Sequence, residues 1–349
     1  MIRITLRQFR TEVIVGTGLL TALAVVLAVT GIHLVDVNNA FESACKAARD
    51  CASTPNPVIN TYAPLQGALP LIVLITPALI GLFFGAPLIA RELEMGTFRL
   101  AWTQSVTLRR WFAVKIAVVG IIAMIIGGLT TWMVDWWASP LDTASQNRFG
   151  LAQFGFHGIA PIGYAAFAFA LGVASGVLLR RTVAAMALTG VGFALTRLAV
   201  TYWIRPNLAS PVHKSVPFSF GQGVNFIMSA GGSVSLNISN MSIPNAWVYS
   251  MTAVDKAGHI PTSRYLLQIC PTVFRPNSYR GGKGIGGGPP GAAEFQACLN
   301  KLSTALHLIV AYQPANRFWP FQWAEMGIFL AAAFAICGLT YWWLRRRYS

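Results

Sequence analysis

The 349-residue chain is 55% hydrophobic and only 11% charged, and its mean hydropathy is +0.56. Soluble domains carry about 25% charged residues, so this composition excludes an ordinary soluble globular protein and predicts an all-α polytopic membrane protein. The net charge of +15 does not indicate nucleic-acid binding, because the basic residues flank apolar runs instead of forming one patch.

The first ten residues predict a basic amphipathic helix that lies in the membrane surface. Apolar residues fall on one face of this helix, and the other face carries Arg3, Arg7 and Arg10. A simple basic flank is the alternative. The apolar run that follows is too long for a signal-peptide core and lacks a clear cleavage site, so we expect a retained span.

Six apolar runs are long enough to cross a bilayer, which takes about 20 residues. They cover residues 13–35, 69–90, 111–134, 161–179, 182–203 and 323–344. Three prolines predict that the second span is kinked: Pro70, Pro77 and Pro87. Two pairs of small residues permit close packing between helices: Gly81 with Gly85, and Gly172 with Gly176.

Basic residues are concentrated in alternate connections, namely before the first span, within residues 91–115, at residues 180–181 and at residues 345–347. The positive-inside rule therefore predicts that both termini lie in the cytoplasm of a bacterial cell. Residues 1–204 then hold the surface helix and spans one to five. Residues 205–322 form an extracytoplasmic region, and residues 323–349 form the sixth span with a basic tail.

The predicted outer region has a mixed character. Its first half is rich in Ser, Asn and β-branched residues, which favours short strands. Residues 292–311 carry apolar side chains at helical spacing, which predicts an amphipathic helix. The aromatic residues of the sequence QPANRFWPFQWAE, which ends this region, are typical of a membrane interface.

Four of the five cysteines fall in the predicted outer segments, where disulfides persist: Cys45, Cys51, Cys270 and Cys298. The simplest pairing joins Cys45 to Cys51 and Cys270 to Cys298. Connectivity is not fixed by sequence, and four unpaired cysteines are the alternative.

The sequence offers no catalytic or metal site. It has no GxxxxGK[ST] motif for ATP, no GxSxG motif, and no histidine spacing suited to a metal. Gly282, Gly284 and Gly287 satisfy GxGxxG, but no strand–turn–helix context surrounds them. We therefore expect no cofactor in this chain.

Arg197 lies about two turns inside the predicted fifth span, where a charge costs about 2.5–3.5 kcal/mol to insert. It must face protein or a water-filled path. An ion pair with Asp135 and a contact with substrate are both open. Lys115 and Glu325 lie near predicted span ends, where we expect them to extend to the interface.

The polar segment RELEMGTFRLAWTQSVTLRRW, residues 91–111, interrupts two apolar runs. Gly96 is suited to end the preceding helix. Thr97 is suited to cap a short helix from Phe98 to Trp102. The pattern predicts an apolar knob that protrudes into the cytoplasm, and a loop lying on the membrane surface is the alternative.

This segment resembles the glutamate–Gly–Thr segment of the membrane subunits of type-2 ABC exporters. The runs PIGYAAFAFALGVASGVLLRRT and QPANRFWPFQWAE are similar to permeases of this family that are common in actinobacteria. The resemblance covers nearly the whole chain, although the large outer region departs from short-looped relatives.

The resemblance implies a permease that pairs with a second permease subunit, as a homodimer, and recruits a separate ABC ATPase that binds ATP and Mg. It implies export of a hydrophobic or amphiphilic compound. The implied ATPase contacts are the first ten residues and a coupling segment made of Glu92, Glu94, Gly96, Thr97, Phe98, Arg99, Leu100 and Trp102.

Two other classes remain open at this point. A sensor or immunity subunit would bind an antibiotic or peptide outside the cell without bulk transport, and only flux that depends on ATP hydrolysis would separate it from an exporter. A membrane enzyme acting on lipid-linked substrates would need acidic or histidine clusters, and the acidic residues here are few and scattered.

Overall fold

A computed structural model describes residues 10–48, 57–96, 107–145, 148–150, 153–218, 224–228, 234–238, 243–271, 273 and 292–348. It divides into two compact units. One comprises residues 1–209 and 316–349, and the other comprises residues 210–315.

Within the described residues, six helical stretches are long and apolar enough to cross a membrane, which confirms the six predicted spans. Their helices are α1 (Arg10–Ala48), α2 (Pro57–Ile80) with α3 (Ala86–Glu94), α4 (Leu108–Ser145), α5 (Ala160–Leu179), α6 (Thr182–Ala199) and α9 (Phe318–Tyr348). Most extend beyond their predicted bounds, because polar flanking residues continue the helix past the apolar run.

The second and fifth spans each contain one π-helical segment, at Gly81–Gly85 and Val200–Ile204. The first lies between Pro77 and Pro87, so the irregular backbone of span two falls inside the predicted proline-rich stretch. The second is followed by a 3₁₀ turn, Arg205–Asn207. Such segments often mark functional sites in helices.

Helix α5 is the central helix of the membrane unit. It packs against every other span except α1, which packs mainly against α2 and α4. Its Ala- and Gly-rich sequence explains this position, because small side chains let neighbouring backbones approach closely.

The two predicted small-residue pairs pack against each other. A Cβ at Gly172 would lie 2.4 Å from the carbonyl oxygen of Gly81, and a Cβ at Gly85 would lie 2.5 Å from that of Phe169. A Cβ at Gly176 would lie 2.6 Å from the carbonyl oxygen of Ala86. Glycine is therefore required where the π-helical segment crosses α5.

The unit of residues 210–315 contains a three-stranded antiparallel sheet and a separate hairpin. The sheet has the order β1 (Val212–Pro217), β5 (Leu306–Gln313), β4 (Trp247–Asp255), and the hairpin pairs β2 (Val224–Met228) with β3 (Val234–Ile238). Among its described residues, this unit also has two helices, α7 (Ser263–Ile269) and α8 (Ala292–Ala305). Arg205 and Gln322, which the sequence placed in the outer region, belong instead to the membrane unit.

The predicted helix over residues 292–311 is wrong in its last six residues. Helix α8 ends at Ala305, and the next residues form β5, the central strand of the sheet. Its sequence LHLIVAYQ carries β-branched residues and hydrogen-bonds to a strand on each side. Strand pairing therefore overrides the helical spacing that continues through Leu306 and Ile309.

The pairing of Cys270 with Cys298 is confirmed by a disulfide that joins the end of α7 to α8. Both cysteines are buried in the apolar core of this unit, beside Leu266 and Leu302. Cys45 is also disulfide-bonded, and its predicted partner Cys51 lies outside the described residues. Cys337 is a free cysteine in α9.

We predict that Gly172→Leu destabilises the membrane unit by about 1–3 kcal/mol or more, because the new side chain meets backbone that cannot move away. A thermal unfolding curve of the purified protein in detergent measures the change. Gly18→Leu is the matched control, since a Cβ there meets nothing within 4 Å. Equal unfolding temperatures for the two variants would contradict the close crossing.

Candidate functional site

One end of the span unit, here called the basic end, holds the turns at residues 95–96 and 180–181 and the basic residues of the C-terminal tail. The other end, here called the far end, holds the connection around residues 148–158 and the turn at residues 205–207. Two polar clusters occupy these ends, and the spans between them are apolar.

The far-end cluster is built on Glu325, whose carboxylate is fully buried in α9. Its Oε1 atom accepts hydrogen bonds from the Tyr164 hydroxyl at 2.6 Å and from Arg197 Nη1 at 3.0 Å. Arg205 donates from Nε to Oε2 at 2.8 Å and from Nη2 to Oε1 at 2.9 Å. The Glu325 carboxylate in α9 thus binds Tyr164 in α5, Arg197 in α6 and Arg205 in the 3₁₀ turn. The two arginines flank the π-helical segment that follows α6.

The expected partner of Arg197 was wrong, because Arg197 pairs with Glu325 and not with Asp135. The expectation that Glu325 extends to the interface was also wrong. Arg205 follows Arg197 by eight positions, which is close to two helical turns, so the two guanidinium groups share one face and converge on one carboxylate. The sequence shows this spacing, but the prediction that the outer region starts at residue 205 separates Arg205 from the span.

Aromatic rings shield the two guanidinium groups. Arg197 lies over the ring of Tyr164 at 3.8 Å, and Arg205 lies over the ring of Phe154 at 4.5 Å. Gly155 leaves room for Arg197, since a Cβ there would lie 2.4 Å from its Nη2 atom. Charge-assisted hydrogen bonds and cation–π contacts together offset the desolvation of these buried charges.

Asp135 contacts the connection between spans three and four instead. Its Oδ1 lies 2.5 Å from His157 Nδ1, and its Oδ2 accepts the backbone N–H of Gly158 at 2.8 Å. Gln322 of α9 supports the same connection: its Oε1 accepts the N–H groups of Ile159 and Ala160, and so caps the start of α5. Nothing in the sequence pattern distinguished Gln322 from other polar residues near a span end.

The basic-end cluster joins the end of α3 to two other spans. Glu92 forms an ion pair with Lys115 of α4, whose side chain is only 6% exposed and which lies over the ring of Trp111 at 4.9 Å. The expectation that Lys115 extends to the interface was therefore wrong. Glu94 Oε2 accepts the backbone N–H of Thr182 at 3.2 Å and its hydroxyl at 2.8 Å, and so caps the first turn of α6.

Gly96 ends this span as the sequence predicted. Its φ is +71°, in the left-handed region that favours glycine, and it follows a turn in which Met95 N–H donates to the carbonyl of Arg91. On the far side of the connection, Thr107 Oγ1 accepts the backbone N–H of Arg110 at 3.4 Å at the start of α4. The connection between spans two and three is thus fixed at both of its ends.

Several predicted contact residues lie outside the described part of the chain: Arg3, Arg7, Thr97, Phe98, Arg99, Leu100 and Trp102. Arg10 is the first residue of α1 and is exposed. In the described ranges, no group of three or more His, Cys, Asp or Glu side chains is arranged to hold a metal ion.

We predict that Glu325→Gln destabilises the protein by about 3–5 kcal/mol, because it leaves two buried guanidinium groups without a carboxylate. Arg197→Met is expected to cost less, since Glu325 keeps Arg205. Thermal unfolding in detergent ranks the variants, with Glu42→Gln as control because its carboxylate is 53% exposed. A larger loss for Arg197→Met than for Glu325→Gln would contradict the central position of Glu325.

A family model described as "ABC-2 membrane transporter related" matches residues 17–205, which is more than half of the chain. The matched range covers nearly all of the first five spans, the basic-end cluster and both arginines of the far-end cluster. Neither the curated proteins nor the solved structures include a match to this chain.

Proposed function

Because the chain belongs to the ABC-2 membrane transporter related family, we propose that it is the permease subunit of an ATP-driven exporter of a hydrophobic or amphiphilic compound, such as a drug, an antibiotic or a peptide. A separate ABC ATPase binds and hydrolyses ATP with Mg. A second copy of this permease completes the membrane part of the complex.

In this proposal the basic end lies in the cytoplasm, where the ATPase binds. The basic residues at residues 91–115, 180–181 and 345–347 support this orientation through the positive-inside rule. The disulfides of Cys45 and of Cys270 with Cys298 agree with it, because disulfides persist outside the cytoplasm.

The observation that carries the coupling proposal is the pair of carboxylates at the end of α3. Glu92 and Glu94 already have partners inside the chain, so their proposed role is to transmit force and not to bind the ATPase directly. A displacement of residues 97–102 by the ATPase pulls on α4 through Lys115 and on α6 through Thr182. The apolar side chains Phe98, Leu100 and Trp102 supply the docking contact.

The first prediction from this proposal concerns orientation. A single added cysteine at Lys256→Cys, an exposed site in the unit of residues 210–315, reacts with a membrane-impermeant maleimide in intact cells. Arg109→Cys, exposed at the basic end, reacts only after permeabilisation. The reverse pattern would contradict the orientation, and the chain without an added cysteine serves as the background control.

The second prediction separates force transmission from docking. Glu94→Ala and Thr182→Val each remove a contact between α3 and α6, and we expect each to lower ATP hydrolysis by the intact complex severalfold while the ATPase still co-purifies. This hydrogen bond is exposed, so its contribution to stability is small and its loss is not expected to unfold the protein. Hydrolysis in nanodiscs and the amount of co-purified ATPase are the two measurements.

Gly96→Ala is a third variant for the same assay. Alanine at a left-handed position costs about 1–2 kcal/mol, and we expect it to change the direction of the segment that follows. Gly327→Ala is its control, a helical position where a Cβ meets nothing within 4 Å. Normal hydrolysis in Glu94→Ala, Thr182→Val and Gly96→Ala together would refute the coupling proposal. If the rate of ATP hydrolysis by the ATPase is the same with and without the permease, a sensor is favoured over an exporter.

A further inference from the structure

A cavity of about 220 Å³ lies at the far end of the membrane unit, between α2, α4 and the 3₁₀ turn Gln153–Phe156. Its lining includes the apolar side chains Leu69, Trp137 and Leu141 and the polar side chains Gln66, Gln153, His157 and Asp142. None of the contacts assigned so far to coupling or to the Glu325 cluster uses this space.

Asp142 is the anionic group that lines the cavity. Its nearest ionic contact among the described residues is His157 Nδ1 at 3.7 Å, and that nitrogen is already bonded to Asp135 at 2.5 Å. Arg148 also acts electrostatically on Asp142, but its side chain does not line the cavity.

The lining favours a cation over an anion or a neutral molecule. The Asp142 carboxylate supplies a counter-charge, and the amide oxygens of Gln66 and Gln153 are suited to accept further N–H groups. A ligand of this type would also contact the apolar side chains Leu69, Trp137 and Leu141 with its carbon part.

We propose that this cavity binds a small organic cation through its ammonium or guanidinium group, with Asp142 as the counter-ion. The volume is about one and a half times that of the roughly 150 Å³ cavity that is known to hold benzene, so the ligand has about eight or nine non-hydrogen atoms. The site does not depend on transport or on an ATPase. A failure of this proposal and a failure of the exporter proposal are therefore separate results.

Benzylammonium is the probe, titrated against the full-length protein in nanodiscs and followed by saturation-transfer NMR, with empty nanodiscs subtracted. We expect saturable binding, at least tenfold weaker binding of the neutral analogue benzyl alcohol, and weaker binding still of benzoate. Equal affinity for benzylammonium and benzyl alcohol would overturn the proposal, and so would a signal no larger than that of empty nanodiscs.

Asp142→Asn is expected to weaken benzylammonium binding at least tenfold, while Asp36→Asn, an exposed acidic position on α1, changes it less than twofold. Gly67→Leu tests the same site by filling it, because Gly67 lines the cavity and a Cβ there meets nothing within 4 Å. Gly327→Leu is its control. If both Asp142→Asn and Gly67→Leu retain wild-type affinity with normal unfolding temperatures, the proposal is wrong.

Discussion

The far end of the membrane unit depends on one buried carboxylate that pairs with two guanidinium groups. Glu325 has no solvent exposure, and neither does Arg205. A charge in such a place is retained only where hydrogen bonds and an opposite charge replace its hydration. That requirement fixes α9 against α5 and against the end of α6, and it sets the position of Phe154 and Gly155 in the connection that covers the cluster.

The basic end is held by an ion pair and a helix cap. Lys115 pairs with Glu92 below the surface, and Glu94 caps the first turn of α6 at Thr182, closer to solvent. Helix α5 connects the two ends and crosses the π-helical segment of span two at glycines that admit no side chain. In the coupling proposal, a force applied at the basic end moves α4 and α6 relative to α5 through these two contacts.

The sequence predicted those features that depend on local chemistry. The length of the apolar runs predicted the spans, and Gly96 marked a helix end. The predicted location of Cys270 and Cys298 outside the cytoplasm indicated a disulfide between them. It could not predict the partner of Arg197, because Glu325 is 128 residues away and its helical phase depends on where α9 begins. It also failed at residues 306–311, where helical spacing and strand propensity conflict and where pairing with β1 and β4 decides the outcome.

Cross-linking at residue 98 tests the central proposal most directly, which is that residues 97–102 are where an ABC ATPase binds. A photoreactive phenylalanine analogue replaces Phe98 in the native membrane, and the same analogue at Phe295, exposed in the unit of residues 210–315, is the control. We predict that position 98 cross-links to a protein with a GxxxxGK[ST] ATP-binding sequence and that position 295 does not. Cross-links from position 98 to lipid or to this chain alone, in correctly inserted protein, would contradict the claim.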